Sequence, residues 1–442
     1  MAPYRLTAVF VAAATLLIPG FTSAAEWKFP STDDGSTAEE GATEDDSGAG
    51  ETVELVDEEV ETEVVEEVSE PEPAVPTPTS PEFELLAHLD DGIFPSYVIS
   101  SAATKIVAGE EQDANHIGDP DGNIGVLVRG VQANTPIKVE FVGEPYVRTT
   151  TFETKAPEGV TDIWITPKLK YDYSVLRQVT QVVPANISAK VWIAGNPLPE
   201  QTKVMKVHSV NEVVFGYQPS EDETYDYSYL FAGFVNENHP LIDELLKEAL
   251  ESEIVPAFVG YQAGDPDIVY AQAFAIWNAL QRRGIKYSNI TTTSTESDIV
   301  YSQHVRFLEQ SVATKQANCV DGSVLFASAL RKIGIRTFLV LVPGHMFVGW
   351  YTDEEGETAI GLETTMIGET NLSKFEKTES SKEKREKLIN KESFAAFNAA
   401  VGAGTKGLTE NKSKFFDEDE LQYQMIDITE ARKMGITPIS YR

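Results

Sequence analysis

One cysteine occurs among 442 residues, Cys319, and the residues around it are of the types that turn a thiol into a nucleophile. Asn318 before it is a strong helix N-cap, and Asp321 stands where a carboxylate closes a capping box. A helix over 319–333, stopped by Gly334, is therefore expected, with Cys319 in its first turn. There the helix dipole and free N–H groups favour a thiolate and can help to hold an oxyanion. The apolar run 335–342, followed by Pro343 and Gly344, has about the length needed to return the chain to the start of that helix. His345 is thus delivered to the level of Cys319. A strand over 346–351, a turn over 352–356 and an antiparallel mate over 357–363 are expected next. Centring that hairpin near Glu354 pairs His345 with Glu363, Phe347 with Gly361, Gly349 with Ala359 and Tyr351 with Glu357. Gly349, Ala359 and Gly361 would make the face shallow enough for close helix packing. A Cys, a His and a carboxylate then meet, which suits nucleophile, base and orienting acid. Asp353 is the other acidic candidate, but it falls in the turn.

The run from Ala317 through Cys319 and Asp321 to Gly334, with the stretch Gly344 to Trp350, resembles the core of the transglutaminase-like superfamily. Leu330 to Ile335 also resembles that family's pattern. The resemblance implies a papain-like α+β fold with Cys319 as nucleophile and His345 as general base. Glu363, followed by Thr364 and Thr365, stands where the family usually has Asp. Gln303, upstream of the cysteine helix, occupies a region from which some relatives take an oxyanion donor.

Further elements must position these groups. Short runs rich in Val, Ile, Phe and Trp, at 124–128, 137–142, 162–165, 188–193 and 204–214, alternate with Gly- and Pro-containing turns. They predict an all-β sandwich of immunoglobulin-like type over 83–217, without a disulfide. Its expected role is binding or spacing. Asp119, Asp121 and Asn123 resemble the opening of a calcium loop, but Ile124 stands at the sixth position and no Glu at the twelfth, so an Asp-Gly turn is expected. The second domain, 225–442, begins with helices. Pro240 follows Asn238 and His239 as caps, Pro266 follows Asp265, and a third helix is expected over 297–313. The Lys- and Glu-dense run 374–391 reads as a solvated helix or loop, followed by Phe394, Phe397 and Val401 on one helical face. A strand near 423–428 and a packed tail over 436–439 complete the expected elements.

Composition limits the function. The net charge is −35, and about 19 acidic residues with no Lys or Arg lie between Asp33 and Glu82. This 26–82 segment, acidic and then Pro-rich, reads as a disordered tether. The acidity that remains outside this segment argues against nucleic acid or anionic lipid as a partner. Residues 1–25 read as a cleavable signal peptide: Arg5, the apolar run 6–18, Pro19 and Gly20, then Ala24 and Ala25. The expected location is secreted or periplasmic, with no membrane span in the mature chain. Neither metal nor cofactor is expected, because the histidines lack ligand spacing and no second Cys exists. A protein or peptide substrate, cell-wall peptide included, is the expected partner. Asn186, Asn289, Asn371 and Asn411 open glycosylation sequons. The functional expectation is a thiol peptidase or amidase acting through an acyl-enzyme, or an enzyme passing that acyl group to an amine. The alternative is a non-catalytic domain of the same fold, used in binding or envelope assembly.

Overall fold

The computed structural model describes residues 80–104, 114–290, 297–417 and 420–439. The expected signal peptide, 1–25, and all but residues 80–82 of the expected acidic tether lie outside these residues. From Ser80 on, the chain forms one compact unit of mixed α+β composition.

Its first half is two facing sheets. Strands β1 (Glu82–Ala87), β2 (Ile124–Arg129), β3 (Pro136–Gly143), β4 (Val147–Lys155), β5 (Asp162–Thr166), β6 (Val183–Ile193) and β7 (Gln201–Val207) supply their main ladders. One sheet has the order β1-β2-β5, with His116–Gly118 beyond β5. The other has the order β7-β6-β3-β4, flanked by Gly92–Ile93 and Lys170–Tyr171. Alternation of side chains places every second residue inside: Val126, Val128, Ile163 and Ile165 from one sheet, Val139, Phe141, Ile187, Ala189 and Val191 from the other. All nine are fully buried. The Asp119–Asn123 segment is a tight turn, in which Asp119 accepts from the amides of Asp121 (3.2 Å) and Gly122 (2.9 Å).

The expected continuous strand over 204–214 is two strands in different sheets. β7 ends at Val207, His208 stacks on Phe94 at 4.2 Å, and the Ser209 hydroxyl accepts from the Asn211 amide at 3.2 Å. This local polar turn redirects the chain into β8 (Glu212–Ser220). β8 pairs antiparallel with β10 (Val300–His304), so a segment expected to close the sandwich is hydrogen-bonded to one close in sequence to the cysteine helix. Helices α1 (Pro240–Glu251) and α2 (Pro266–Arg282) begin as expected, capped by the side chains of His239 and Asp265. The expected helix over 297–313 is instead β10 followed by the short α3 (Leu308–Thr314). Val300 and Tyr301 suit the pleated ladder against β8 better than a helix interior.

The cysteine helix, α4 (Cys319–Lys332), follows a two-residue strand, β11 (Gln316–Ala317), which pairs parallel with β9 (Lys286–Tyr287). Gly334 ends α4 with φ +81°, its amide reaching Arg331 O (3.0 Å) and that of Ile335 reaching Leu330 O (3.1 Å). Beyond it lies an antiparallel sheet of order β14-β13-β12-β15: β12 (Thr337–Val342), β13 (His345–Tyr351), β14 (Ala359–Leu362) and β15 (Gln424–Asp427). The charge-dense run continues into α5 (Lys382–Glu410), which buries Ile389, Ser393, Phe397, Ala400, Gly404 and Leu408 at helical spacing. A short helix, α6 (Ile428–Met434), and the buried Ile436 and Ile439 close the fold.

The β13–β14 register is offset by two residues from the expected one: Gly349 faces Gly361, and Tyr351 faces Ala359. The loop is longer because Asp353 organises it, accepting from the amides of Glu357 (2.7 Å) and Thr358 (2.9 Å). A slip of two preserves which side chains share a face, so the expected grouping of side chains survives. The helix that uses the shallow glycine surface is α5. Gly361 and Gly404 meet backbone to backbone, and a Cβ on either would strike the other's main chain. Gly404→Val should therefore lower stability by about 2–3 kcal/mol, read as a fall in the urea midpoint. An unchanged midpoint would show that the helix can lift from the strand at no cost.

Candidate active site

The first turn of α4 is fixed by its capping box. The Asn318 side chain accepts from the Asp321 amide at 2.8 Å, and Asp321 Oδ2 accepts from the Asn318 amide at 3.0 Å. Sequence reading found that box but missed its third member. Arg306 donates its backbone N–H to Asp321 Oδ1 at 2.8 Å and its Nη1 to Oδ2 at 2.7 Å. The Asp321 side chain is wholly buried. A buried carboxylate held by a guanidinium and two amides sets the helix start rigidly, and with it the position of Cys319.

Cys319 is partly accessible. Its carbonyl accepts from Ser323 Oγ at 2.7 Å. Gly322 supplies a further close approach. A Cβ there would stand 2.7 Å from Thr364 Oγ1, so only glycine lets the segment after Glu363 lie against the cysteine turn.

His345 opens β13, and its Nε2 lies 2.6 Å from Glu363 Oε2. Glu363 sits one residue beyond the end of β14, capping a 3₁₀ turn over Thr364–Gly368. Its Oε1 accepts from the Thr365 amide (3.1 Å) and Thr365 Oγ1 (2.6 Å), while its own amide donates to Ala400 O of α5 (3.0 Å). One carboxylate oxygen is thereby tied to Thr365 and the other is aimed at the imidazole. Asp353 is occupied in its loop and plays no part in this arrangement.

The electrostatics tie the three groups together. Hydrogen bonding to Cys319, and secondarily to Glu363, raises His345 to about 10, against an opposing effect of burial. With Nε2 engaged by Glu363, Nδ1 is the ring nitrogen left for the thiol. Burial pushes Glu363 upward, but the hydrogen bonds from His345 and Thr365 outweigh it and leave the carboxyl below its ordinary range. The His345 side chain is 33% exposed and that of Glu363 16%, so the imidazole edge remains open to solvent.

Gln303 does not lie on a helix. It is on β10 opposite Val213, and its Nε2 donates to the carbonyl of His304 at 2.8 Å. None of the described hydrogen bonds joins it to Cys319, His345 or Glu363. Among the described residues, no group of three His, Cys, Asp or Glu side chains is placed to hold a metal ion, and no helix is long and apolar enough to cross a membrane.

Two expectations follow from this geometry. Asp321→Ala leaves Arg306 buried without its partner, and should cost about 3–5 kcal/mol of stability, measured by chemical denaturation. A loss below about 1 kcal/mol would refute the lock. Because folding raises His345 above its ordinary 6.5, its contribution to stability is full below that value and is lost as pH rises through about 10. NMR of ring-labelled histidine should find His345 still protonated at about pH 8, and deprotonating at lower pH in Glu363→Gln. Deprotonation near 6.5 in the wild type would contradict the coupling.

Comparison with protein-family models and with curated proteins found no match, so a functional reading rests on the side chains themselves.

Proposed function

We propose that this chain is an exported thiol-dependent acyl hydrolase, a peptidase or amidase of the transglutaminase-like, papain-like type. One observation carries the reading: His345 Nε2 lies 2.6 Å from Glu363 Oε2, and the same imidazole is close enough to Cys319 for the thiol to raise its pKa. A thiol at a helix N-terminus, an imidazole beside it and a carboxylate behind the imidazole make a nucleophile, a proton carrier and an orienting acid. In this reading the Cys319 thiolate attacks a carbonyl carbon, and the imidazolium of His345 protonates the departing amine. A water deprotonated by His345 then releases the acyl group as a carboxylic acid. Glu363 fixes the ring orientation and stabilises its charged form.

The one-third exposure of the imidazole favours water as the acceptor over an amine held in a closed site. Transfer to an amine uses the same acyl-enzyme and differs only in that acceptor. The strand order β1-β2-β5 facing β7-β6-β3-β4 supports an immunoglobulin-like reading of the first half, with a role in binding or spacing. Secreted or periplasmic location follows from the reading of residues 1–25, and makes proteins or cell-wall peptides the expected substrates.

The test uses denatured casein and a cross-linked cell-wall peptide. The wild type should release new α-amino groups, and Cys319→Ala or His345→Ala should lose about 10³-fold or more of the rate. Incorporation of dansylcadaverine without cleavage would move the assignment to acyl transfer. No turnover, together with a thiol indifferent to iodoacetamide and to His345, would leave the non-catalytic binding domain.

A further inference from the structure

Beside the triad stands an aromatic residue to which the sequence reading gave no role. Tyr287 lies on β9, opposite Ala317 and thus two positions before Cys319, and the Ser288 amide donates to Ala317 O at 3.0 Å. On its other side β9 meets the turn that Glu363 begins. A Cβ on Gly368 would stand 2.7 Å from the Cα of Lys286. Tyr287 is therefore bracketed by the segment that ends in Cys319 and the segment that starts with Glu363. It is nonetheless 47% exposed, an unusual degree for a large aromatic residue in so confined a place. Its phenol is raised above the ordinary value, by burial first and then by the fields of Cys319 and Glu363. The hydroxyl therefore keeps its proton as a donor through neutral pH.

We propose that the Tyr287 hydroxyl donates a hydrogen bond to the oxyanion formed when Cys319 attacks an acyl carbonyl. This assignment rests on the thiol acyl-transfer reading above and names the donor that Gln303, turned to the His304 carbonyl, does not supply. In the step, a sulfur lone pair forms the S–C bond while the C=O π pair moves onto oxygen. The Tyr287 O–H and the backbone N–H groups at the start of α4 meet that charge. When the pair returns, the C–N bond breaks, and the leaving nitrogen takes its proton from His345.

Two small probes separate this role from a structural one. p-Nitrophenyl acetate acylates a thiol through a tetrahedral oxyanion and releases p-nitrophenolate. Iodoacetamide alkylates the same thiol by displacement, with no oxyanion. In Tyr287→Phe, acylation should slow by about 10- to 100-fold, while the alkylation rate stays within about twofold of wild type. Equal ester rates in the two proteins would overturn the assignment alone. A parallel fall with both probes would also overturn it, because the hydroxyl would then be holding the thiol rather than the oxyanion. A wild-type thiol inert to both probes would remove the nucleophile reading, and this assignment with it.

Discussion

A carboxylate with no exposed surface lies between the strand that leaves the β-rich half and the helix that carries the thiol. Asp321 accepts from the amides of Asn318 and Arg306 and from the Arg306 guanidinium. Its desolvation is tolerable only because these donors converge on it. The direction of α4, the place of Cys319 and the path of the chain from β10 into α3 all follow from that convergence. The connection reaches further back. β10 is paired with β8, and Glu212 at the head of β8 has a fully buried side chain, with Oε1 accepting from Ser302 Oγ at 2.6 Å. The two-sheet half is thereby joined through one small sheet to the first turn of the cysteine helix.

Around that fixed point the remaining groups arrive by close approach. Gly322 lets Thr364 lie on the cysteine turn, and Gly361 with Gly404 lets α5 lie on β14. These contacts do not buy affinity for anything. They fix distances, and the proposed chemistry depends on distances of a few tenths of an ångström.

Much of this was legible in the residues. Asn318, Asp321 and Gly334 marked both ends of α4 through capping chemistry, which is local and therefore readable. The delivery of His345 to Cys319 came from chain lengths alone. Glu363 was reached with a hairpin register that differs by two residues, and it survived because a slip of two conserves faces. What could not be read depended on long-range pairing. Nothing near Arg306 announces that it will fold back on Asp321, 15 residues later. Tyr287 comes beside Cys319 only through the two-residue pairing of β9 with β11. The polar turn at 208–211, which divides one apolar run between two sheets, was hidden because Val residues continue on both sides of it. The strand at 300–304 was mistaken for helix because its partner lies more than 80 residues upstream.

The attachment of Glu363 to α5 carries a mechanical implication. The backbone amide of this acid is anchored on the carbonyl of Ala400, in the middle of a 29-residue helix whose opening turns are charged and mostly exposed. The imidazole is thus steered by a lever whose handle lies outside the site. A backbone nick in that helix, or a load that drags it along its axis, reaches Glu363 through its bond to Ala400, the hydrogen bond from the Gly361 amide to Thr405 and the glycine contact. It would retune His345 without any reagent having touched the imidazole.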